Sequence, residues 1–272
     1  MKVAIVGAGA VGHGIAQLFA DAVLYDEPKQ IGARESVNAC DAAFVCVPTP
    51  REENGGCDTS IVEHVVGWLE TSLIVIRSTV SVGTTRRLAE MFPGKHIVFQ
   101  PEYGPAETPD HPFNDLRKVR WVILGGDRKA TLLAVRLWQD VYSSDVVIQQ
   151  TTPETAELCK YMENAFLATK VTFCNEFFDI ATRLGVDYNE LRELWLLDPR
   201  IGKSHTFVFG EKRGFGGKCL PKDLDAIVTT AEQVGYEPTL LKTVTSTNAR
   251  MRLRNTSADD AAARSQLQHS RD

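Results

Sequence analysis

The chain has 272 residues, is 43% hydrophobic and 24% charged, and carries a formal net charge of −5. That describes a folded chain long enough for one large domain or two ordinary ones, and it excludes a broad basic field for nucleic acid or an anionic membrane. No apolar run approaches the roughly 20 residues of a membrane span, and glycines interrupt the N-terminal MKVAIVGAG too early for a secretion signal. The six cysteines, at positions 40, 46, 57, 159, 174 and 219, form neither a CxxC pair nor a zinc spacing. Reduced thiols, a cytoplasmic location and no metal site are the expectation.

Short β-rich runs are predicted at residues 2–6 (KVAIV), 22–26 (AVLYD), 42–47 (AAFVCV), 73–77 (LIVIR), 96–100 (HIVFQ), 120–126 (RWVILGG) and 145–149 (DVVIQ). Helical patterns lie between several of them, around 60–70, 84–91 and 128–142. Strands alternating with helices predict a Rossmann-like α/β fold, a doubly wound and mostly parallel sheet covered on both faces. From Pro153 the β signal stops, and one long helix is expected to run to Leu184, with Pro153 in its first turn and Gly185 as its stop. Asp187 followed by Glu190 predicts the start of the next helix. A glycine- and aromatic-rich loop over about 198–221 precedes two further helices, about 222–234 and 238–254. The expected organisation is an α/β domain over 1–150, an all-helical domain over 151–255 and a polar tail over 256–272.

GAGAVG, residues 7–12, fits G-x-G-x-x-G after a strand and at the opening of a helix. Gly7 permits the tight turn, Gly9 lets backbone approach a pyrophosphate, and Gly12 lets helix and strand pack closely. Free N–H groups at the helix start suit phosphate. Asp26, at the end of the second strand, stands where an acid accepts the ribose hydroxyls of NAD and repels the 2′-phosphate of NADP. Further strand ends carry polar or proline-shaped loops: VPTP (Val47, Pro48, Thr49), Ser78 and Thr79 in RSTVSVGTT, and Glu102 and Tyr103 in QPEY. Strand carboxyl ends face the ligand crevice of such a sheet, so these loops are expected to share it; singly, each is no more than a turn.

GFGGKCLPKD, residues 214–223, gathers three glycines before Cys219. Glycine lets the chain take φ > 0 and lets a ligand lie against backbone. Lys218 and Lys222 would lower the thiol pKa, and Asp223 would hold or deprotonate a water, the plan of a covalent nucleophile. The same sulfur reads equally as a buried structural cysteine in a glycine turn. Lys160 and Asn164, at i and i+4, share one helix face, which is either solvated or lines a pocket where an ammonium meets an oxyanion.

Taken in order, GAGAVG, VPTP, STVSVGT, QPE, the K-x-x-x-N of CKYMEN and GFGGKCLPKD resemble the UDP-glucose/GDP-mannose dehydrogenase family, nearest to its members acting on UDP-glucose, over about residues 1–250. The resemblance implies an NAD-dependent oxidoreductase of polysaccharide precursor synthesis that takes the C6 alcohol of a nucleotide sugar to a carboxylate, UDP-glucose to UDP-glucuronate. It implies that Cys219 forms the thiohemiacetal and thioester, that Asp223 and Thr79 position water, that Lys160 and Asn164 stabilise the C6 oxyanion, and that Glu102 serves acid/base steps. Gly7, Gly9, Ala10, Val11, Gly12, Asp26, Val47, Pro48, Thr49, Ser78 and Thr79 would contact NAD. Glu102, Tyr103, Lys160, Asn164, Phe215, Gly216, Gly217 and Lys222 would contact substrate. The alternatives are another nucleotide sugar (GDP-mannose or a UDP-N-acetylhexosamine) and a non-catalytic NAD-binding relative.

Three departures from the family pattern stand out. The second acid after QPE is displaced to Glu107. Only about fifteen residues separate Asp26 from the third strand, too few for the covering helix and strand of relatives. The chain ends where relatives continue into a third α/β domain that binds nucleotide, leaving Arg200, Lys203, Lys212 and Arg213 either to grip a diphosphate or to lie at the surface. The long helix, rich in apolar residues, is expected to form a homodimer.

Overall fold

The computed structural model describes residues 1–104 and 115–253; Glu107 and the tail expected over 256–272 lie outside them. The chain forms two compact units, Met1–Met162 and Glu163 onward, and the division falls inside one long helix.

Seven strands build the first unit: β1 (Val3–Val6), β2 (Val23–Tyr25), β3 (Ala42–Val45), β4 (Leu73–Ile76), β5 (His96–Phe99), β6 (Trp121–Gly126) and β7 (Val147–Thr151). They stand in the order β2-β1-β3-β4-β5-β6-β7. All neighbours are parallel except β5 and β6. Helices α1 (Ala10–Ala16), α2 (Arg34–Asn38), α3 (Ser60–Trp68), α4 (Thr84–Met91) and α5 (Arg128–Gln139) connect them. Each central strand is buried on both faces, which is why its sequence is a continuous apolar run and not an alternation.

Successive strand residues divide between two cores. Ala4, Val45, Ile74, Ile76 and Ile97 meet Val37 of α2, Val62 and Val66 of α3 and Leu88 of α4. Ile5, Phe44, Val75 and Val98 meet Ile15 of α1 and Ala134, Leu137 and Trp138 of α5. Trp138 is fully buried against Phe44, ring centroids 5.5 Å apart, and its indole N–H donates to the Gln100 side chain at 3.0 Å. Burying one such aliphatic side chain stabilises by about 1.5–3 kcal/mol, so the two layers carry most of the unit's stability.

The short connection after Asp26 is more structured than its length suggests. It holds the five-residue α2, whose Val37 is buried, so a helix does cover this edge of the sheet.

In the second unit, α6 (Pro153–Leu184) continues from the first unit and is followed by α7 (Tyr188–Trp195), α8 (Leu220–Gln233) and α9 (residues 239–253). Gly185 adopts φ +70° and Val186 N–H donates to Ala181 O, a left-handed stop that only glycine enters at no steric cost. Asp187 caps α7, its carboxylate accepting from Asn189 N at 2.6 Å and Glu190 N at 3.2 Å. Ala165 and Ala168 of α6 pack with Phe215, Leu224 and Val244 in one core; Cys174, Ala181 and Tyr188 form another.

Candidate active site

The glycine turn answers to steric demands that can be read atom by atom. Gly7 has φ +103°, and a Cβ there would meet Cys46 O at 2.4 Å. A Cβ on Gly12 would meet Gly7 O at 1.9 Å, so helix and strand are packed backbone to backbone. A Cβ on Gly9 would meet nothing within 4 Å: this glycine faces open space at the start of α1, as a turn that admits a pyrophosphate must. Gly9 and Ala10 are exposed, while Val11 is half-buried. Asp26 Oδ2 accepts Ala8 N–H at 2.8 Å, joining the acid of β2 to the turn, and Lys29 pairs with the same carboxylate at 3.8 Å. These residues fit NAD.

Beside the turn, two loops at the ends of β3 and β4 are tied together. Ser78 Oγ donates to Val47 O at 2.6 Å. The buried Cys57 thiol donates to Thr79 O at 3.2 Å and reaches Thr49 O at 3.8 Å. Thr49 and Ser78 are buried, Val47 and Thr79 half-buried and Pro48 exposed. Sequence reasoning missed Cys57, whose spacing carries no motif; its role as a staple exists only because two loops come within reach of one sulfur.

At the end of β5, Glu102 forms an ion pair with the buried Arg77, and its other oxygen accepts Gly104 N–H at 2.6 Å. The Tyr103 hydroxyl lies 3.6 Å from Cys159 Sγ, and the Lys160 ammonium stands 5.3 Å from the centre of the Tyr103 ring. Lys160 is only 7% exposed and Asn164 5%, so neither sits on a solvated face. A buried ammonium requires polar or aromatic partners, and the ring face supplies one.

The second unit assembles the thiol and its neighbours. Cys219 is the N-cap residue of α8, half-buried, and Asp223 N–H donates to Cys219 O at 2.9 Å, so the two residues stand one turn apart. Asp223 is 2% exposed. Its Oδ2 accepts Asn164 Nδ2–H at 2.5 Å and its Oδ1 accepts from Lys222 Nζ at 2.6 Å. A carboxylate only accepts, so it fixes which end of the Asn164 amide faces it. Lys222 therefore pairs with Asp223, while Lys218 is exposed.

The loop before Cys219 is held by two asparagines. Asn175 Oδ1 accepts from Arg213 Nε at 2.7 Å and Gly214 N at 3.1 Å; Asn248 accepts from Phe215 N at 2.7 Å and donates to Phe215 O at 3.0 Å. Gly214 and Gly217 adopt positive φ, and a Cβ on Gly216 would strike the Arg252 guanidinium at 2.3 Å. The Phe215 ring belongs to the core of this unit. Arg213, weighed above as a diphosphate ligand, is instead buried and structural: it donates to Asp179 at 2.8 Å and stacks on Phe178. Arg200 is exposed and pairs locally with Asp198.

A doubly wound sheet with a phosphate-admitting glycine turn, an acid on β2 and a following helical unit defines the architecture of nicotinamide-dependent dehydrogenases. Residues 29–145 match the NAD binding domain, and residues 154–250 the central domain, of the UDP-glucose/GDP-mannose dehydrogenase family. The chain is 31% identical over 233 residues to UDP-glucose 6-dehydrogenase TuaD of Bacillus subtilis (strain 168), covering 80% of this chain and 48% of that protein. It is 33% identical over 231 residues to UDP-glucose 6-dehydrogenase AglM of Haloferax volcanii, covering 76% and 52%. Among solved structures, a UDP-glucose dehydrogenase from Pyrobaculum islandicum superposes with TM-score 0.78 at 27% identity, over 92% of this chain and 68% of that one. A UDP-D-ManNAc dehydrogenase from Pyrococcus horikoshii gives 0.77 at 26%, over 92% and 69%. The chain belongs to the UDP-glucose/GDP-mannose dehydrogenase family and carries its NAD-binding domain. It spans about half the length of the curated relatives it matches.

Proposed function

We propose that this chain carries the catalytic machinery of a nucleotide-sugar 6-dehydrogenase that oxidises the C6 alcohol of UDP-glucose to the carboxylate. The reading rests on the Cys219–Asp223–Asn164 constellation: a thiol at the start of α8, one turn from a buried carboxylate that orients an amide. Bound NAD supplies the hydride acceptor for both oxidations. The Cys219 sulfur adds to the C6 aldehyde left by the first oxidation, so the aldehyde cannot escape before the second. Oxidation of that thiohemiacetal leaves a thioester on Cys219, and water releases the carboxylate and the free thiol. Lys160 and Asn164 stabilise the negative charge that develops on the C6 oxygen. Asp223 orients Asn164, Thr79 helps hold the water, and Glu102 accepts protons in the alcohol and hydrolytic steps.

Two NADH per UDP-glucose is the expected stoichiometry, with Cys219→Ser abolishing carboxylate formation. One NADH per sugar, or a Cys219→Ser variant that still forms carboxylate, refutes it. A second reading, another nucleotide sugar, draws support from the similar superposition on a UDP-D-ManNAc dehydrogenase. Turnover with UDP-N-acetylhexosamine or GDP-mannose and none with UDP-glucose selects it; NAD binding without turnover on any of them selects a non-catalytic protein.

A further inference from the structure

Arg77 carries no role in the proposed reaction, yet it is a buried charge at the end of β4. It follows the last residue of β4, and the parallel ladder continues past the strand ends: Arg77 N–H donates to Val45 O and Gln100 N–H to Ile76 O, both at 2.9 Å. The rows of Val45, Ile76 and Phe99 are thus followed by Cys46, Arg77 and Gln100. The Arg77 side chain is 4% exposed and that of Glu102 14%. A guanidinium at that depth is costly unless an anion and further acceptors satisfy it. Cys46 and Tyr142 provide no negative charge, since burial pushes the thiol and the phenol up to about 12. Among the described residues Glu102 is the one acid paired with it.

We propose that Arg77 is a positioning residue that locks the Glu102 carboxylate in the orientation its acid/base work requires; this rests on the proposed reaction. Three contacts make the lock. Arg77 Nη2 pairs with one carboxylate oxygen, Nη1 donates to Pro101 O at 3.3 Å, and Gly104 N–H donates to the other oxygen at 2.6 Å. The planar fork therefore grips the side chain and the peptide that leads into it, while the backbone beyond closes the far side. A free glutamate side chain has three rotatable bonds, and freezing them costs conformational entropy. Here folding has already met that cost, so the carboxylate meets the reacting proton without searching for it.

The test is steady-state kinetics with NAD and UDP-glucose on the full chain. Arg77→Met is expected to lower kcat by about 10-fold or more while KM for UDP-glucose stays within about 2-fold, because the group acts on chemistry and not on binding. Arg77→Lys, which keeps a cation beside Glu102 but not the fork to Pro101 O, is expected to recover part of the loss. If Arg77→Met does not fold, Arg77→Met/Glu102→Gln removes both charges and is expected to match Glu102→Gln alone. The assignment fails if Arg77→Met keeps wild-type kcat, if KM changes and kcat does not, or if the pair variant falls well below Glu102→Gln. A wild-type chain that forms no NADH with any nucleotide sugar overturns the proposed reaction and this role with it. An active wild type with an unaffected Arg77→Met overturns the Arg77 role alone.

Discussion

Asp223 shows how one buried charge is made tolerable and useful. Its two oxygens meet an amide N–H and an ammonium, so each has a donor. Asp223→Asn keeps the size but turns a donor toward Asn164 or Lys222. We expect a loss of about 1–3 kcal/mol in urea unfolding, from polar groups left facing one another. We also expect kcat to fall by about 100-fold or more, since the Asn164 amide is no longer held. Wild-type kcat in Asp223→Asn would refute the orienting role. This pairing was half legible: the sequence placed Asp223 near Cys219 and Lys160 near Asn164, but the bond between Asn164 and Asp223 crosses 59 residues. Arg213 is the converse. Its position beside the thiol loop suggested a phosphate ligand, and its partners, Asn175 and Asp179 on α6, were invisible without the fold.

At the scale of elements, α4 and α6 are joined by a carboxylate that belongs to neither motif. Glu157 of α6 is fully buried and accepts Gly83 N–H at 2.6 Å and Thr85 N–H at 2.9 Å, the orphan donors at the start of α4. Burial raises its pKa above the ordinary 4.5, against the pull of those N–H bonds. The folded protein therefore holds this proton more tightly than the unfolded chain. The group's contribution to stability is greatest below about pH 4.5 and declines as pH rises through the raised folded value. Glu157→Gln is expected to flatten that part of the stability-against-pH curve, measured by chemical unfolding at a series of pH values. An unchanged slope would show that Glu157 does not titrate there. The ion pairs Arg87–Glu63 and Arg86–Glu154 act in the opposite sense, each arginine lowering its partner's pKa, so their stabilisation is lost as pH falls. They lie near the surface, where solvent and salt screen them, so each contributes little. The boundaries of α4 and α6 were readable from pattern and punctuation; the carboxylate that joins them was not, because nothing local distinguishes Glu157 from the solvated acids of the same helix.

For the whole molecule, the apolar surface of α6 bears on assembly. Met162, Phe166, Phe173, Phe177, Ile180 and Leu184 are between 41% and 73% exposed and recur at intervals of three, four or seven, one stripe along the helix. A stripe of that extent favours a partner, and we propose a second copy of this chain, related by a two-fold axis along α6. Light scattering is expected to give twice the chain mass, and Phe173→Glu/Ile180→Glu the single mass with unchanged helical circular dichroism. A wild-type monomer at micromolar concentration would refute the dimer.

What the sequence determined by itself is whatever depends on near neighbours along the chain. The doubly wound sheet, the glycine turn, the long helix with its stop at Gly185 and the cap at Asp187 all follow from short-range sterics and from the period of apolar residues. Only the tertiary structure decided which polar groups meet and how deeply they are buried. Arg77 with Glu102, Cys57 with Thr79 and Asn164 with Asp223 are 22 to 59 residues apart. The strength of each pairing comes from the dry surroundings that folding creates, a property no stretch of chain possesses before it packs.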